Sequence, residues 1–103
     1  MVTRQWKPPE IGGVSTGFLA LNRSKKSVCI DLDTRAGQQL VARLARTADV
    51  LVHSLKPGSA ESRGLGWDAL VGLNPRLVYC AISAFGEVGP MSPLPGYDPL
   101  MQA

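Results

Sequence analysis

The sequence has few of the residues that build metal sites and disulfide frameworks, with one histidine and two cysteines among 103 residues. The cysteines have no metal-binding spacing, and both Cys29 and Cys80 fall in apolar runs. We therefore predict two reduced core cysteines rather than a disulfide or a zinc site. A membrane-spanning apolar run and the apolar core of a signal peptide are also missing. These absences predict a cytoplasmic protein.

Glycine-rich phosphate loops of the G-x-G-x-x-G and P-loop types are missing as well. Eleven basic and eight acidic residues give a net charge of +3, which suits an anionic small molecule as well as a nucleic acid. The locally basic segment, residues 23–26, lacks the interleaved aromatics that stack on bases. Nucleic-acid binding is thus the weaker hypothesis. Arg23, Lys25 and Lys26 could hold phosphates, although a solvated strand edge is the commoner role for such residues.

Hydrophobic periodicity predicts three strands separated by two helices. Apolar runs rich in β-branched residues predict the strands, over 26–32, 49–55 and 77–83. Apolar residues at three- and four-residue spacing predict an amphipathic helix from Thr34 to Ala48, capped by Asp33 or Thr34. Its apolar stripe includes Leu40, Val41 and Leu44, whose burial would offset the helix-weakening Gly37.

The second predicted helix is broken. It runs from Ser59 to about Arg63, is interrupted over 64–66, and resumes from Trp67 until Pro75 ends it. Residues 1–17 are rich in proline and glycine and are predicted to be irregular, and residues 18–21 to form a short turn or helix end.

This order of elements predicts an α/β fold, a parallel β-α-β-α-β unit with right-handed crossovers. The carboxyl ends of the three strands would then share one rim, where ligands bind in open parallel sheets. Three strands make a thin sheet, so we expect neighbouring segments outside this chain.

Residue chemistry on this rim does not assemble a catalytic centre. His53 lies near the end of a strand, where a packing role is commoner than that of a general base, and no Ser–His–Asp constellation has suitable spacing. Four carboxylates could cluster on the rim, although capping explains Asp33 and a turn explains Asp98; they are Asp31, Asp33, Glu87 and Asp98. No catalytic or metal-binding residue is assigned.

The chain resembles class III CoA-transferases, the group that includes formyl-CoA, carnitine-CoA and bile-acid-CoA transferases. The resemblance runs from Arg4 onward and rests on motifs that are weak singly but specific as an ordered set. They are Asn22–Val28 with Asp31-Leu32, Ala48–Val52, Lys56-Pro57-Gly58, Gly64–Trp67, Asn74–Tyr79, Phe85-Gly86 with Gly89-Pro90, and Gly96–Asp98 with Gln102-Ala103.

The resemblance implies a Rossmann-like large domain in an interlocked homodimer that moves CoA between carboxylic acids. CoA and acyl-CoA are then substrates, and no cofactor is bound permanently. By position, the resemblance places CoA contacts at Ile30, Asp31, Leu32, Asp33, Ser54, Leu55, Lys56, Gly96, Tyr97 and Asp98.

Several departures from the family pattern bear on activity. Family members usually have Glu-Asn-[Phe/Tyr]-[Arg/Lys] where this chain has His53-Ser54-Leu55-Lys56. An arginine is also frequent in the family's next helix. This chain has Ser62 at that position and Arg63 one place later. No aspartate matches the family's catalytic aspartate, and the family's opening strand–helix–strand unit has no counterpart. We therefore expect a fragment from the N-terminal region, inactive alone.

Three alternatives stay open. The first is a non-catalytic truncated remnant. The second is a homologue of the 2-methylacyl-CoA racemases, which is disfavoured because those enzymes have a histidine where this chain has Tyr97. The third is an autonomous flavodoxin-like module, which is disfavoured by the missing phosphate loop.

Overall fold

The computed structural model describes residues 9–96, which form a mixed α/β arrangement. Its elements are β1 (Glu10–Ile11), β2 (Val14–Ser15), α1 (Thr16–Leu21), α2 (Arg35–Ala45), β3 (Val50–His53), a 3₁₀ helix (Glu61–Arg63), α3 (Trp67–Leu73) and β4 (Val78–Ala81).

Strands β3 and β4 pair in parallel, with Val50 opposite Val78 and His53 opposite Ala81. The connection between them contains α3, as parallel neighbours require a crossover. A small core lies beside this pair, formed by Ala45 of α2, Leu65, Leu70 of α3 and Leu77. The predicted parallel orientation of the second and third apolar runs is therefore confirmed.

The first predicted strand, residues 26–32, is wrong. Residues 25–31 have no regular secondary structure, and 25–29 are exposed. An apolar, β-branched run becomes a strand only where its backbone groups pair with a neighbour. Among residues 9–96, the sheets are the pairs β1–β2 and β3–β4, so this run has no such neighbour there. Leu32 nevertheless packs against the core.

Part of the segment predicted to be irregular forms a hairpin instead. Strands β1 and β2 pair antiparallel across Gly12 and Gly13, whose φ angles are +59° and +78°. Positive φ at both central residues defines the turn type that matches the twist of a two-residue hairpin, and glycine adopts it without steric cost. The Ser15 hydroxyl then caps α1 by accepting from the Phe18 N–H.

Burial along α2 differs from the predicted apolar stripe. Gly37 and Ala45 are buried and Val41 is half-buried, whereas Leu40 is 37% exposed and Leu44 50% exposed. Residues 37, 41 and 45 follow one four-residue row of the helix, and the core contacts that row. The spacing alone does not determine which flank of an apolar stripe is covered, and the prediction for Leu40 and Leu44 is wrong.

Both cysteines are free, but both are exposed, so their predicted core positions are wrong. Cys29 lies in the exposed run that forms no strand, and the reason for Cys80 lies in the sheet. Cys80 is opposite Val52 in the register, and both side chains lie on the sheet face that α2 and α3 do not cover, within the part of the chain that the structure describes.

The helices formed by residues 9–96 all lack the combined length and apolar character that a membrane crossing requires.

Candidate functional site: a groove at the carboxyl ends of the parallel strands

The segments that leave β3 and β4 line a groove of about 550 Å³ at the carboxyl edge of the sheet. Parallel strands direct both exits to the same edge. A third segment, residues 92–96, completes the lining. The lining residues are Ser54, Leu55, Lys56, Pro57, Ile82, Ser83, Ala84, Ser92, Pro93, Leu94, Pro95 and Gly96.

The third wall reaches the groove through two turns. Gly89 has a φ of +110°, a conformation that L side chains rarely adopt. Its carbonyl accepts from the Ser92 N–H at 3.2 Å, and the Met91 carbonyl accepts from the Leu94 N–H at 3.0 Å. These bonds fold the segment back beside the exit of β4.

The groove combines hydroxyl groups, one ammonium group and apolar surface. Ser54, Ser83 and Ser92 supply the hydroxyls, Lys56 the positive charge, and leucine, isoleucine and proline side chains the rest. Such a lining suits a ligand that has both an apolar, amide-bearing portion and an anionic portion.

A chain of hydrogen bonds anchors the exit of β3. The Leu55 N–H donates to His53 Nδ1 at 3.1 Å, and His53 Nε2 lies 2.7 Å from the Tyr79 hydroxyl. The Tyr79 hydroxyl donates to the Leu65 carbonyl at 3.2 Å. Because Nδ1 accepts, this network assigns the proton of the neutral ring to Nε2, which donates to Tyr79. His53 is half-buried, and both of its ring nitrogens are used.

The Tyr79 ring packs edge-on against His53 and Trp67, with centroids 5.1 Å and 6.1 Å away. Burial raises the pKa of its hydroxyl above the ordinary 10.0, and the carboxylates of Glu61 and Glu87 raise the pKa further. Tyr79 therefore keeps its proton and its donor role throughout the neutral range.

The turn before α2 lies next to this exit and is held by its own bonds. Thr34, rather than Asp33, caps α2, because its hydroxyl accepts from the Gly37 N–H at 3.1 Å. Asp33 instead pairs with Arg63 at 2.6 Å, and Arg63 also donates to the Ser59 carbonyl. This pair joins the turn to the segment before α3, although an exposed ion pair contributes only about 0–1 kcal/mol.

The structure brings some of the predicted CoA contacts together. Ser54, Leu55, Lys56 and Gly96 line the groove. Leu32 and Leu55 line an adjoining cavity of about 150 Å³.

The other predicted contacts either do not line the groove or lie outside residues 9–96. Ile30 and Asp31 lie against Gly37 at the start of α2, and Asp33 faces Arg63. Tyr97 and Asp98 lie outside the described residues. Arg23, for which a solvated edge was the favoured role over phosphate binding, borders a separate depression beside α1.

Sequence reasoning assigned no ligand contact to two parts of the groove, Ile82–Ala84 and Ser92–Pro95. The first follows directly from the shared rim, since it is the exit of β4. The second carries a signal in its prolines and in Gly89, which mark a segment that turns back. Among residues 9–96, no three His, Cys, Asp or Glu side chains are grouped so that they could hold a metal ion.

The sequence model of CoA-transferase family III matches residues 2–103, and the chain belongs to this family. It is 39% identical over 101 residues to succinyl-CoA:glutarate CoA-transferase of Mus musculus, covering 98% of this chain and 23% of that protein. It is 40% identical over 106 residues to succinate–glutarate CoA-transferase of Agrobacterium fabrum, covering 97% of this chain and 26% of that protein.

A crystal structure of a CAIB/BAIF family protein from Brucella suis is similar in fold and sequence. It has a TM-score of 0.85 and 39% identity, covering 97% of this chain and 28% of that one. The resemblance to class III CoA-transferases is thereby confirmed. The chain spans about a quarter of the length of the relatives that it matches.

Proposed function

We propose that this chain supplies part of the CoA site of an enzyme that transfers CoA between carboxylic acids by way of acyl-CoA thioesters. The observation that carries the proposal is the groove at the carboxyl ends of two parallel strands, in a chain that belongs to CoA-transferase family III. Relatives named for succinyl-CoA and glutarate support the reaction class.

In this proposal CoA runs along the rim, with its contacts at Ile30–Asp33, Ser54–Lys56 and Gly96–Asp98. The Lys56 ammonium group attracts the phosphates of CoA, and the hydroxyls and apolar side chains of the groove contact the pantetheine arm. CoA enters as substrate rather than as a permanent cofactor. The transfer step itself is assigned to no residue of this chain, and we expect the chain to be inactive alone.

The proposal extends to the assembly. The parallel pair belongs to a Rossmann-like large domain, the full enzyme is an interlocked homodimer, and it acts in the cytoplasm. The Rossmann-like assignment is supported by the parallel strand pair with helices packed against one face of the sheet. The chain matches the Brucella suis structure at a TM-score of 0.85.

Titration calorimetry of the 103-residue chain with acetyl-CoA tests the proposal. Lys56→Gln should weaken binding about 1.4- to fivefold at low salt, because an exposed charge pair contributes about 0.2–1 kcal/mol. Added salt should reduce this difference.

Arg46→Gln is the matched control. Arg46 follows α2 shortly before β3 begins, at the opposite edge of the sheet, and its loss removes the same charge from the chain. Equal weakening by both variants would indicate unspecific attraction of the anion. Absence of heat with the unaltered chain would refute a CoA contact by this segment alone.

A further inference from the structure

The groove wall formed by Ser54, Leu55 and Lys56 is held to the end of β3 by a side chain. The Leu55 N–H donates to His53 Nδ1 at 3.1 Å, and all three wall residues line the groove. Without this acceptor, a half-buried backbone N–H would lack its partner, at a cost comparable to a lost hydrogen bond.

The other side of the imidazole ring is fixed as well. Its Nε2 lies 2.7 Å from the Tyr79 hydroxyl on the neighbouring strand. Tyr79 in turn donates to the Leu65 carbonyl, which precedes α3. The ring therefore has one orientation and one neutral tautomer, with Nδ1 free to accept.

We propose that His53 is a positioning residue for CoA binding, which in its neutral form orders the 54–56 wall of the groove through the Leu55 N–H. This inference rests on the proposed function and adds a residue to it that touches no ligand atom. Protonation of Nδ1 would turn the acceptor into a donor facing another donor, so the wall would lose its anchor.

Among residues 9–96, one titratable side chain contacts the imidazole ring. That side chain is Tyr79 of β4. The negative charges of Glu61 in the 3₁₀ helix and Glu87 in the loop after β4 act on the Tyr79 hydroxyl and raise its pKa. The ring's other contact is the backbone of its own strand exit.

Two amide variants separate the two sides of the ring. His53→Asn keeps an acceptor at the position of Nδ1 and loses the Tyr79 contact, whereas His53→Gln keeps a donor near the position of Nε2 and loses the acceptor for Leu55. We expect His53→Asn to bind acetyl-CoA within about twofold of the unaltered chain. We expect His53→Gln to bind about three- to tenfold more weakly.

Acidification supplies a readout that a purely structural role would not move. The affinity of the unaltered chain should fall relative to His53→Asn as the imidazole protonates. Taking the ratio of the two affinities removes the titration of the CoA phosphates. Because the sequence has a single histidine, ¹⁵N NMR of labelled histidine reports both the protonation and the tautomer of this ring alone.

Each outcome decides the inference. A ring with its proton on Nδ1, or equal affinities of the two variants at every pH, overturns it. A chain that binds no acetyl-CoA refutes a CoA contact by this segment alone, and hydrogen exchange at the Leu55 amide then decides the positioning role of His53. Faster exchange in His53→Gln than in His53→Asn supports positioning, and equal exchange overturns it. The tautomer spectrum of the unaltered chain covers the case in which a variant does not fold.

Discussion

At the scale of single residues, position 37 requires glycine because the backbone of another segment approaches it closely, although glycine is a poor helix former. A Cβ built there would lie 1.8 Å from the Asp31 carbonyl oxygen. That oxygen also accepts from the Thr34 hydroxyl at 2.9 Å, and Thr34 caps α2. A side chain at position 37 would therefore displace the turn that begins the helix.

We expect Gly37→Ala to destabilise the chain although alanine favours helices. Overpacking of about 1–3 kcal/mol should exceed the helix-propensity gain of about 1 kcal/mol. Gly72→Ala is the matched control, because a Cβ at position 72 of α3 meets nothing within 4 Å. The free energy of unfolding of the control variant should rise by up to about 1 kcal/mol. The urea concentration that halves the helical circular dichroism measures both, and equal shifts would contradict the close approach.

Tyr79 makes the free energy of unfolding fall at high pH. Its pKa is raised by burial and by Glu61 and Glu87, so the unfolded chain releases the phenol proton at lower pH than the folded chain. The contribution is fully present below the ordinary pKa of 10.0 and is lost as pH rises through the folded pKa.

Tyr79→Phe tests this dependence. At neutral pH the variant should be less stable by about 1–3 kcal/mol, because His53 and the Leu65 carbonyl lose a partner. Urea unfolding of both chains at stepwise higher pH should show this difference shrinking above pH 10.0. Lysines and other groups that titrate there act on both chains alike. A constant difference would exclude a raised phenol pKa.

At the scale of elements, Asn74 joins three of them. Its Nδ2 donates to the Ala45 carbonyl at 3.0 Å and to the Ala48 carbonyl at 2.9 Å, at the end of α2. Its Oδ1 accepts from the Arg76 N–H in the turn that leads from α3 to β4. One side chain thus fixes the turn after α2 against the turn before β4.

Asn74→Asp preserves the shape of this side chain and removes both donors. Carboxylate oxygens would face two carbonyls at the negative end of the α2 dipole, so we expect a loss of about 1–3 kcal/mol at neutral pH. Asn74→Ala should be the milder change, because it introduces no charge. Urea unfolding of the two variants ranks them, and an aspartate variant as stable as the alanine variant would disprove the donor role.

The sequence predicted those elements whose signals are local. Thr34 caps α2 and Pro75 follows the end of α3. The helix between β3 and β4 makes their parallel pairing the expected one. The run over 26–32 failed because strand formation depends on a neighbour. The Gly12-Gly13 turn was a readable hairpin signal, but the strands on either side have only two residues each.

The site was predictable to the same extent. Parallel strands bring Ser54–Lys56 to the rim where Ile82 also lies, and that much follows from topology. The contacts between His53 and Tyr79 and between Asp33 and Arg63 join residues 26 and 30 positions apart. Local spacing carries no information on such pairs. The first depends on the register of β3 against β4, and the second on where the 3₁₀ helix lies beside the turn before α2.

At the scale of the whole molecule, little apolar surface is buried. Among residues 9–96 the buried hydrophobic side chains are Ala45, Ala60, Leu65, Leu70 and Leu77. The sheet face away from the helices exposes Val50, Val52, Val78 and Cys80. The Cα radius of gyration is 16.1 Å, against about 13 Å for a compact domain of 100 residues. Stability should therefore depend on few side chains.

Leu70 lies in the buried core, and Val52 lies on the exposed face of the sheet. Leu70 is 0% exposed and Val52 is 57% exposed. Leu70→Ala should lower the free energy of unfolding by about 2–5 kcal/mol, a large share of the stability of a chain with so small a core. Val52→Thr should change the free energy of unfolding by less than about 0.5 kcal/mol, because its side chain already contacts water. Urea unfolding at low chain concentration measures both.

The same pair of variants determines whether the open sheet face stays open in solution. If a second copy of the chain covered that face, Val52→Thr would be destabilising, and its effect would grow with chain concentration by mass action. Leu70→Ala lies within the core of one chain, so its cost should not follow concentration in this way. A neutral Val52→Thr at every concentration therefore indicates a monomer with a bare face, and a concentration-dependent loss would show that the face is an interface.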